Sequence, residues 1–572
     1  MNVPHKTWEI VVAGELETQE LARDLAFAIA PGDVIAIGGE LGSGKTALAR
    51  AIIRTLASDE KLEVPSPTFT LMQVYELPRF PVVHADLFRV NTLAELSELG
   101  WEEASSGAAV LVEWPEKAGP LLQVERLEIH LELVPELGPE HRRIQMAGIG
   151  VWAERLGRLR AEHSLFAASG YSNARRAHIQ GDASTRSYER LFLEDGSSIL
   201  MKAPRSKDGP TIRQGRTYGE IAKLAQNMEP FVAFSRGLRA RGFSAPEIYA
   251  ADLNSGLLLL EDLGTTGIIT GEPFLPIEDR YATAVDLLIA LHTQELPHVL
   301  PVAPRIEYAI PRYDLDAFLI ETELLVDWYL PHRKSLQLDA TSREIFRALW
   351  RDALLEPLND PATWVLRDFH SPNLLWLEDR DGTQRIGLLD FQDGLIGPPA
   401  YDVASLLMDA RCTVSEKMEV RLLSRYAVGR QTADPDFDPS RFAAQYVIMG
   451  AQRATKILGI FARLDKRDGK PQYLRHMPRV WNYLMRALEH PSLSAIKGWY
   501  AANVPAPPGM KQAENSEPEL PFAQSTPQQS AQQTTEAESL AAESLLGQLA
   551  EQMRESQDAE SPAASLPPDT KA

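Results

Sequence analysis

A chain of 572 residues that is 44% hydrophobic and 24% charged has the make-up of a multidomain globular protein, with enough apolar residues for several cores. Its net charge of −21 argues against gripping nucleic acid by counterion release, and a single cysteine, Cys412, excludes a disulfide framework or a cysteine metal cage. The N-terminus has no basic region followed by an apolar stretch, and no run reaches the roughly 20 apolar residues of a membrane helix, so a cytoplasmic protein without membrane contact is expected.

In chain order, Asp33-Val-Ile-Ala-Ile-Gly38 is an apolar run ending in glycines, and residues 45–56 have helical spacing. Phe80-Pro-Val-Val-His-Ala-Asp86 and Ala108-Ala-Val-Leu-Val-Glu113 are two further apolar runs, each ending in a carboxylate. Strands buried on both faces of a parallel sheet read this way, so an α/β layer is expected over residues 1–150. Residues 124–134 alternate as a half-exposed closing strand would.

Between the first run and its helix lies Gly39-Glu-Leu-Gly42-Ser-Gly44-Lys45-Thr46, a complete phosphate-binding loop in the strand–loop–helix context its mechanism needs. Glycines let backbone N–H groups converge on phosphate oxygens at a helix N-terminus. Lys45 supplies positive charge to the β- and γ-phosphates of ATP, and Thr46 offers its hydroxyl to Mg²⁺. The strand-end acids complete the set: Asp86 would hold the metal and Glu113 would orient or deprotonate water. The plain alternatives are a glycine turn and two solvated strand-end carboxylates.

These residues, with Pro65-Ser-Pro-Thr68-Phe-Thr-Leu, His84-Ala-Asp86-Leu-Phe-Arg89 and Glu113-Trp114-Pro-Glu116, stand in the order seen in TsaE, which they resemble over about residues 5–145. TsaE is a P-loop NTPase, the ATPase subunit of the machinery that makes threonylcarbamoyladenosine at position 37 of tRNA. The resemblance implies nucleotide on Lys45 and Thr46, metal near Thr46 and Asp86, Glu113 at the γ-phosphate, and a switch-like loop at residues 66–70. It also implies TsaD and TsaB as partners that carry the tRNA, in keeping with the acidic charge. Phe88 stands where tyrosine is usual.

Residues 151–175 begin as a helix (Trp152, Leu156, Leu159) and then break, giving a linker with the junction near Ser169. From there to about 262 the reading is β-rich, with a helix at 231–242. After Glu278 it is mostly helical, with Tyr281, Val285, Leu288, Ile289 and His292 on one face. His292 is read as a satisfied helix-face residue and Cys412 as a small buried apolar one. A second phosphoryl-transfer signature follows, Arg367-Asp368-Phe-His-Ser-Pro-Asn373, then Gly387-Leu-Leu-Asp390. Asp368 would accept or orient the substrate hydroxyl proton, while Asn373 and Asp390 hold Mg²⁺. Lys202 is the residue expected at the α- and β-phosphates, the loop 181–187 would cover them, and Glu261-Asp262-Leu-Gly264 would be the hinge beside adenine. The helix at 231–242 contains no acid to pair with Lys202.

With Leu260-Glu-Asp-Leu-Gly, Asp390-Phe-Gln-Asp-Gly and Pro399-Ala-Tyr-Asp402-Val-Ala-Ser-Leu, residues 176–500 resemble the aminoglycoside-phosphotransferase-like kinases, an α+β, two-lobed, protein-kinase-like fold. The narrower resemblance is to the AmgK branch, which implies ATP-dependent phosphorylation of the anomeric hydroxyl of N-acetylmuramate or N-acetylglucosamine in cell-wall recycling. In that branch the Lys202 position often has no lysine. Leu366 replaces the usual histidine, and Arg453 is a candidate substrate contact. Alternatives are an aminoglycoside or other small-molecule substrate, a pseudokinase, and an N-terminal half that is a nucleotide-dependent binding module. Residues 503–572, with eleven acids against Lys511, Arg554 and Lys571, read as a disordered tail holding one weakly amphipathic stretch at 536–553.

Overall fold

The computed structural model describes residues 4–92, 95–96, 100–119, 122–179, 186–203 and 209–510. Most of the loop 181–187 and the tail beyond residue 510 lie outside the described residues. The chain forms two compact units, one made of residues 1–180, 188–202 and 249–259, the other of the remainder.

The first unit is built on a seven-stranded sheet. Its strands are β1 (His5–Val12), β2 (Val34–Gly39), β3 (Met72–Tyr75), β4 (Val82–Asp86), β5 (Ala109–Glu113), β6 (Leu127–Leu133) and β7 (Arg142–Ile149), in the order β1-β7-β6-β2-β5-β4-β3. The middle pairs β6–β2, β2–β5 and β5–β4 are parallel, and the outer pairs are antiparallel. β4 and β5 are buried along their whole length because apolar layers cover both faces. On one face α1 (Glu15–Ala28) and α2 (Lys45–Ala57) press Leu25, Leu48 and Ile52 onto Ile35, Ile37 and Leu111. On the other, Trp101, Leu87 and Val90 cover Val34, Val83 and Val110. Side chains of this size contribute about 1.5–3 kcal/mol each when fully buried.

The strand expected to close the sheet lies inside it. β6 runs parallel to β2 and antiparallel to β7, with β1 beyond as the edge. Its alternation has another cause: Glu128 and His130 point into an uncovered cleft of about 1330 Å³, while Leu127, Ile129 and Leu131 face the core.

The helix Val151–Ser169 serves two cores. Trp152, Leu156 and Leu159 complete the first. Phe166 joins Leu191, Leu200 and Leu259 under a second, five-stranded sheet. That sheet consists of β8 (Arg175–Ile179), β9 (Ser187–Leu193), β10 (Gly196–Lys202) and the strands Leu257–Glu261 and Ile248–Asp252, in that order. A buried charge network runs between these layers. Arg176 meets Asp24 of α1 at 2.5 Å, Glu162 of the helix at 2.9 Å and Glu189 of β9 at 2.6 Å.

The second unit is mainly helical. Its longest helix, Pro439–Asp468, starts on an Asp438 cap and packs so closely against Leu324 that a Cβ at Gly459 would stand 2.3 Å from the Leu324 carbonyl carbon. Two small antiparallel strand pairs, Thr363–Val365 with Leu395–Gly397 and Leu374–Trp376 with Ile386–Leu388, flank the segment that carries Asp368. His292 lies on the buried face of the helix Glu278–His292, with Nδ1 2.7 Å from the Tyr426 hydroxyl. Cys412 is buried 2.8 Å from the Tyr281 hydroxyl. Among the described residues no helix is long and apolar enough to cross a membrane.

Candidate functional sites

In the first unit, β2 delivers the chain into the glycine loop and α2 leaves it. Gly39 has φ +135°, and a Cβ there would meet the Leu131 carbonyl oxygen at 2.4 Å, so no other residue fits that turn. The left-handed Gly44 then starts α2 directly at Lys45. The Lys45 ammonium donates to the carbonyls of Gly39 and Glu40, both at 2.8 Å, and lies 3.9 Å above the Trp114 ring. Burial draws its pKa below the ordinary lysine range against the pull of Glu113, Asp86 and Glu116.

The parallel register of β4 and β5 sets Asp86 opposite Glu113. Thr46 Oγ1 donates to Glu113 at 2.9 Å, and the other Glu113 oxygen lies 2.9 Å from His84 Nε2. Asp86 accepts from Ser66 Oγ at 2.8 Å, Thr68 Oγ1 at 2.9 Å and the Phe88 N–H at 3.1 Å. Gly39, Gly42, Gly44, Lys45, Thr46, Asp86 and Glu113 therefore occupy one end of one sheet. Sequence alone gives His84 no role, because a histidine inside an apolar run reads as core. Its full burial, with Nδ1 left without a partner, marks it as the group that holds Glu113 in place.

In the second unit the segment around Asp368 is held by acids from distant parts of the chain. The Leu366 and Arg367 N–H groups donate to Asp402 at 2.6 and 2.9 Å, and the Ser371 N–H donates to Asp409 at 2.8 Å. Burial pushes the Asp402 carboxyl up to about 7 despite those donors. Arg367 has φ 68°, is 1% exposed and is paired with the fully buried Glu321. Glu321 also receives Lys456 at 2.9 Å and Gln452 at 3.2 Å, and the Tyr313 hydroxyl donates to it.

Asn373 Nδ2 donates to the Asp368 carbonyl at 3.0 Å, and the Asn373 backbone carbonyl accepts from the Leu389 N–H at 2.9 Å. That pair of bonds ties the Asp368 loop to the strand end that carries Asp390. Asp390, itself at φ 56°, accepts from Arg186 at 3.0 Å and Gln392 at 2.8 Å. Burial, reinforced by the negative charge of Asp368, pushes its carboxyl up to about 6. Burial alone would raise Asp368 as well, but Lys456, His370, Arg453 and Arg367 together hold it below the ordinary carboxylate value.

Lys202 has acid partners of its own. Its ammonium is taken by Glu162 at 2.8 Å and Glu189 at 2.6 Å, within the same buried network as Arg176. Strand alternation explains this, since Lys202 shares a side of β10 with Leu200, and Leu200 faces the helix that carries Glu162. The acid partners of Lys202 thus come from Val151–Ser169 and β9. Glu261 is likewise engaged: Arg239 lies at 3.2 Å, Arg380 is a second partner, and its N–H donates to the Glu247 carbonyl at 2.8 Å. Arg186, Glu321 and Asp409 carry no sequence signal beyond being charged.

Comparison with known proteins also divides the chain in two, at a boundary that lies inside the first compact unit. A profile of the family described as threonylcarbamoyl adenosine biosynthesis protein TsaE matches residues 12–143, and one of the phosphotransferase enzyme family matches residues 175–442. An N-acetylmuramate/N-acetylglucosamine kinase of Caulobacter vibrioides is 37% identical over 358 residues, 60% of this chain and 96% of that protein. The protein of that name from Pseudomonas aeruginosa is 31% identical over 346 residues, 60% of this chain and 93% of its own length. For the N-terminal part, a tRNA threonylcarbamoyladenosine biosynthesis protein TsaE of Rickettsia felis is 39% identical over 127 residues, 22% of this chain and 74% of that protein. Both families use ATP. The chain therefore belongs to two families at once, TsaE in its N-terminal part and the N-acetylmuramate/N-acetylglucosamine kinases in its C-terminal part.

Proposed function

We propose that this chain is a bifunctional enzyme. Its N-terminal part hydrolyses ATP in support of N6-threonylcarbamoyladenosine formation on tRNA, with TsaD- and TsaB-like partners holding the RNA. Its C-terminal part transfers the γ-phosphoryl of ATP to the anomeric hydroxyl of N-acetylmuramate or N-acetylglucosamine. The observation that supports this best is that each part has its own pair of acids on its own scaffold, Asp86 with Glu113 and Asp368 with Asp390.

In the first site Lys45 would exchange its bonds to the loop carbonyls for phosphate oxygens, and Glu113, steadied by His84, would orient the attacking water. In the second site Asp368 takes the proton of the sugar hydroxyl as that oxygen bonds to phosphorus and ADP leaves. The oxygen donors present suit Mg²⁺, with Thr46 and Asp86 as its residues in the first site and Asn373 and Asp390 in the second. At Asp390, desolvation and the neighbouring charge of Asp368 raise the carboxyl despite Arg186. A metal there would supply neutralisation of the triphosphate.

The test is a pair of assays on the full chain. ATP hydrolysis should be slow alone and rise when TsaD- and TsaB-like proteins are added. Either amino sugar should become phosphorylated at its anomeric position without those partners. No phosphorylated sugar would remove the kinase reading, and no response to the partners would remove the other.

A further inference from the structure

The helix Pro439–Asp468 sends three polar groups toward the Asp368 loop. Gln452 and Lys456 end on Glu321. Arg453 is 6% exposed, its Nη1 is enclosed without a hydrogen-bond partner, and among the described residues it forms no ion pair. A buried guanidinium without a paired anion costs several kcal/mol, so a fold that keeps one gains an anion in another state.

Two anionic groups enter this reaction, the phosphoryl group in flight and the carboxylate that N-acetylmuramate carries and N-acetylglucosamine lacks. The surroundings separate them. Asp390, on the phosphoryl side, has Arg186 as its cation. The charge of Arg453 is felt at Asp402, which holds the Leu366 and Arg367 N–H groups just before Asp368. His370 lies beside Asp368, with Nε2 3.8 Å from its carboxylate, and its Nδ1 is a second enclosed atom without a partner. Arg453 thus sits on the acceptor side of the base, where a planar fork of donors matches a carboxylate in two parallel bonds.

We propose that Arg453 receives the carboxylate of N-acetylmuramate and sets the preference for the acidic over the neutral amino sugar. The inference rests on the kinase reading above. The experiment is steady-state phosphorylation of both sugars by the full-length wild type, Arg453→Met and Arg453→Lys. With methionine, the ratio of kcat/KM for N-acetylmuramate to that for N-acetylglucosamine should fall about 10- to 100-fold, the differential loss lying chiefly in KM. Lysine should restore part of the preference, and the KM for ATP should not move.

An equal fall for both sugars, or a rise in the KM for ATP, would overturn the assignment, and so would no change at all. A wild type inert toward both sugars would overturn the kinase reading and this inference with it. If the methionine chain does not fold, the lysine chain decides: a residue merely filling space would leave the two sugars affected alike.

Discussion

The two candidate sites solve opposite charge problems. In the glycine loop a lone lysine is the liability, and it is folded back onto two carbonyls of its own loop and the Trp114 ring. In the helical unit the liability is a partly desolvated acid, and Lys456, His370, Arg453 and Arg367, drawn from two separate stretches of chain, favour the charged form of Asp368. A site made of consecutive residues can be switched by a small local turn. One assembled from remote helices is fixed when the unit folds, and its geometry is only as good as that packing.

That contrast can be broken most decisively at Asp368. Asp368→Asn should lower sugar-kinase kcat by about 10²- to 10⁴-fold, with partner-stimulated ATP hydrolysis unchanged; near-normal kcat would take Asp368 out of the chemistry. The reciprocal variants, Glu113→Ala and Thr46→Ala, should abolish the stimulated hydrolysis and leave sugar phosphorylation as it is. Loss of both activities in any one variant would show that the sites are not independent.

Structural cost comes next. Arg367→Met strands Glu321 with Lys456 and Gln452 in a fully buried setting, and should destabilise the helical unit by about 3–5 kcal/mol in denaturant titrations. Less than about 1 kcal/mol would mean the pair is not buried as described.

Acid sharpens the same point. Burial opposes ionisation of Glu321, but Arg367 and Lys456 outweigh it and hold its carboxyl at about 2, against 4.5 for the free group. A depressed carboxyl contributes stability that is complete above about pH 4.5 and is lost as pH falls through about 2, at about 1.4 kcal/mol for each pH unit between those two values. The denaturant midpoint should therefore drop with acid more steeply in the wild type than in Glu321→Gln, whatever their absolute stabilities. Parallel slopes would argue against the depression.

The smallest effect is expected at Lys202. Because its ammonium is bound by Glu162 and Glu189, Lys202→Met should leave the KM for ATP within about threefold while lowering stability by about 1–3 kcal/mol. A tenfold rise in KM would return it to the triphosphate.

What is legible in the sequence follows from how each site is made. The glycine loop announces itself because its eight residues are consecutive, and Asp86 and Glu113 because each ends an apolar run. Asp368, Asn373 and Asp390 are legible for the same local reason. The interior place of Leu127–Leu133 is not, because half-exposure reads as an edge when here it reports an uncovered face of an interior strand. The partners of Lys202 and Glu261 are hidden because an ion pair between distant residues leaves no trace in spacing. Which side of β10 faces a helix is a tertiary fact, and for Lys202 it is the deciding one.

The network around Arg176 bears on how the chain can be divided. Asp24 and Glu162 precede the strands they neutralise, so a fragment starting after Ser169 would keep Arg176 and Lys202 with Glu189 as the one acid left of that network. Two cations would then share one anion on a face stripped of Phe166. Whatever joined these two enzymes in one polypeptide, the seam no longer falls between residues. It has become part of the interior, and neither portion can be cut free without leaving exposed charge behind.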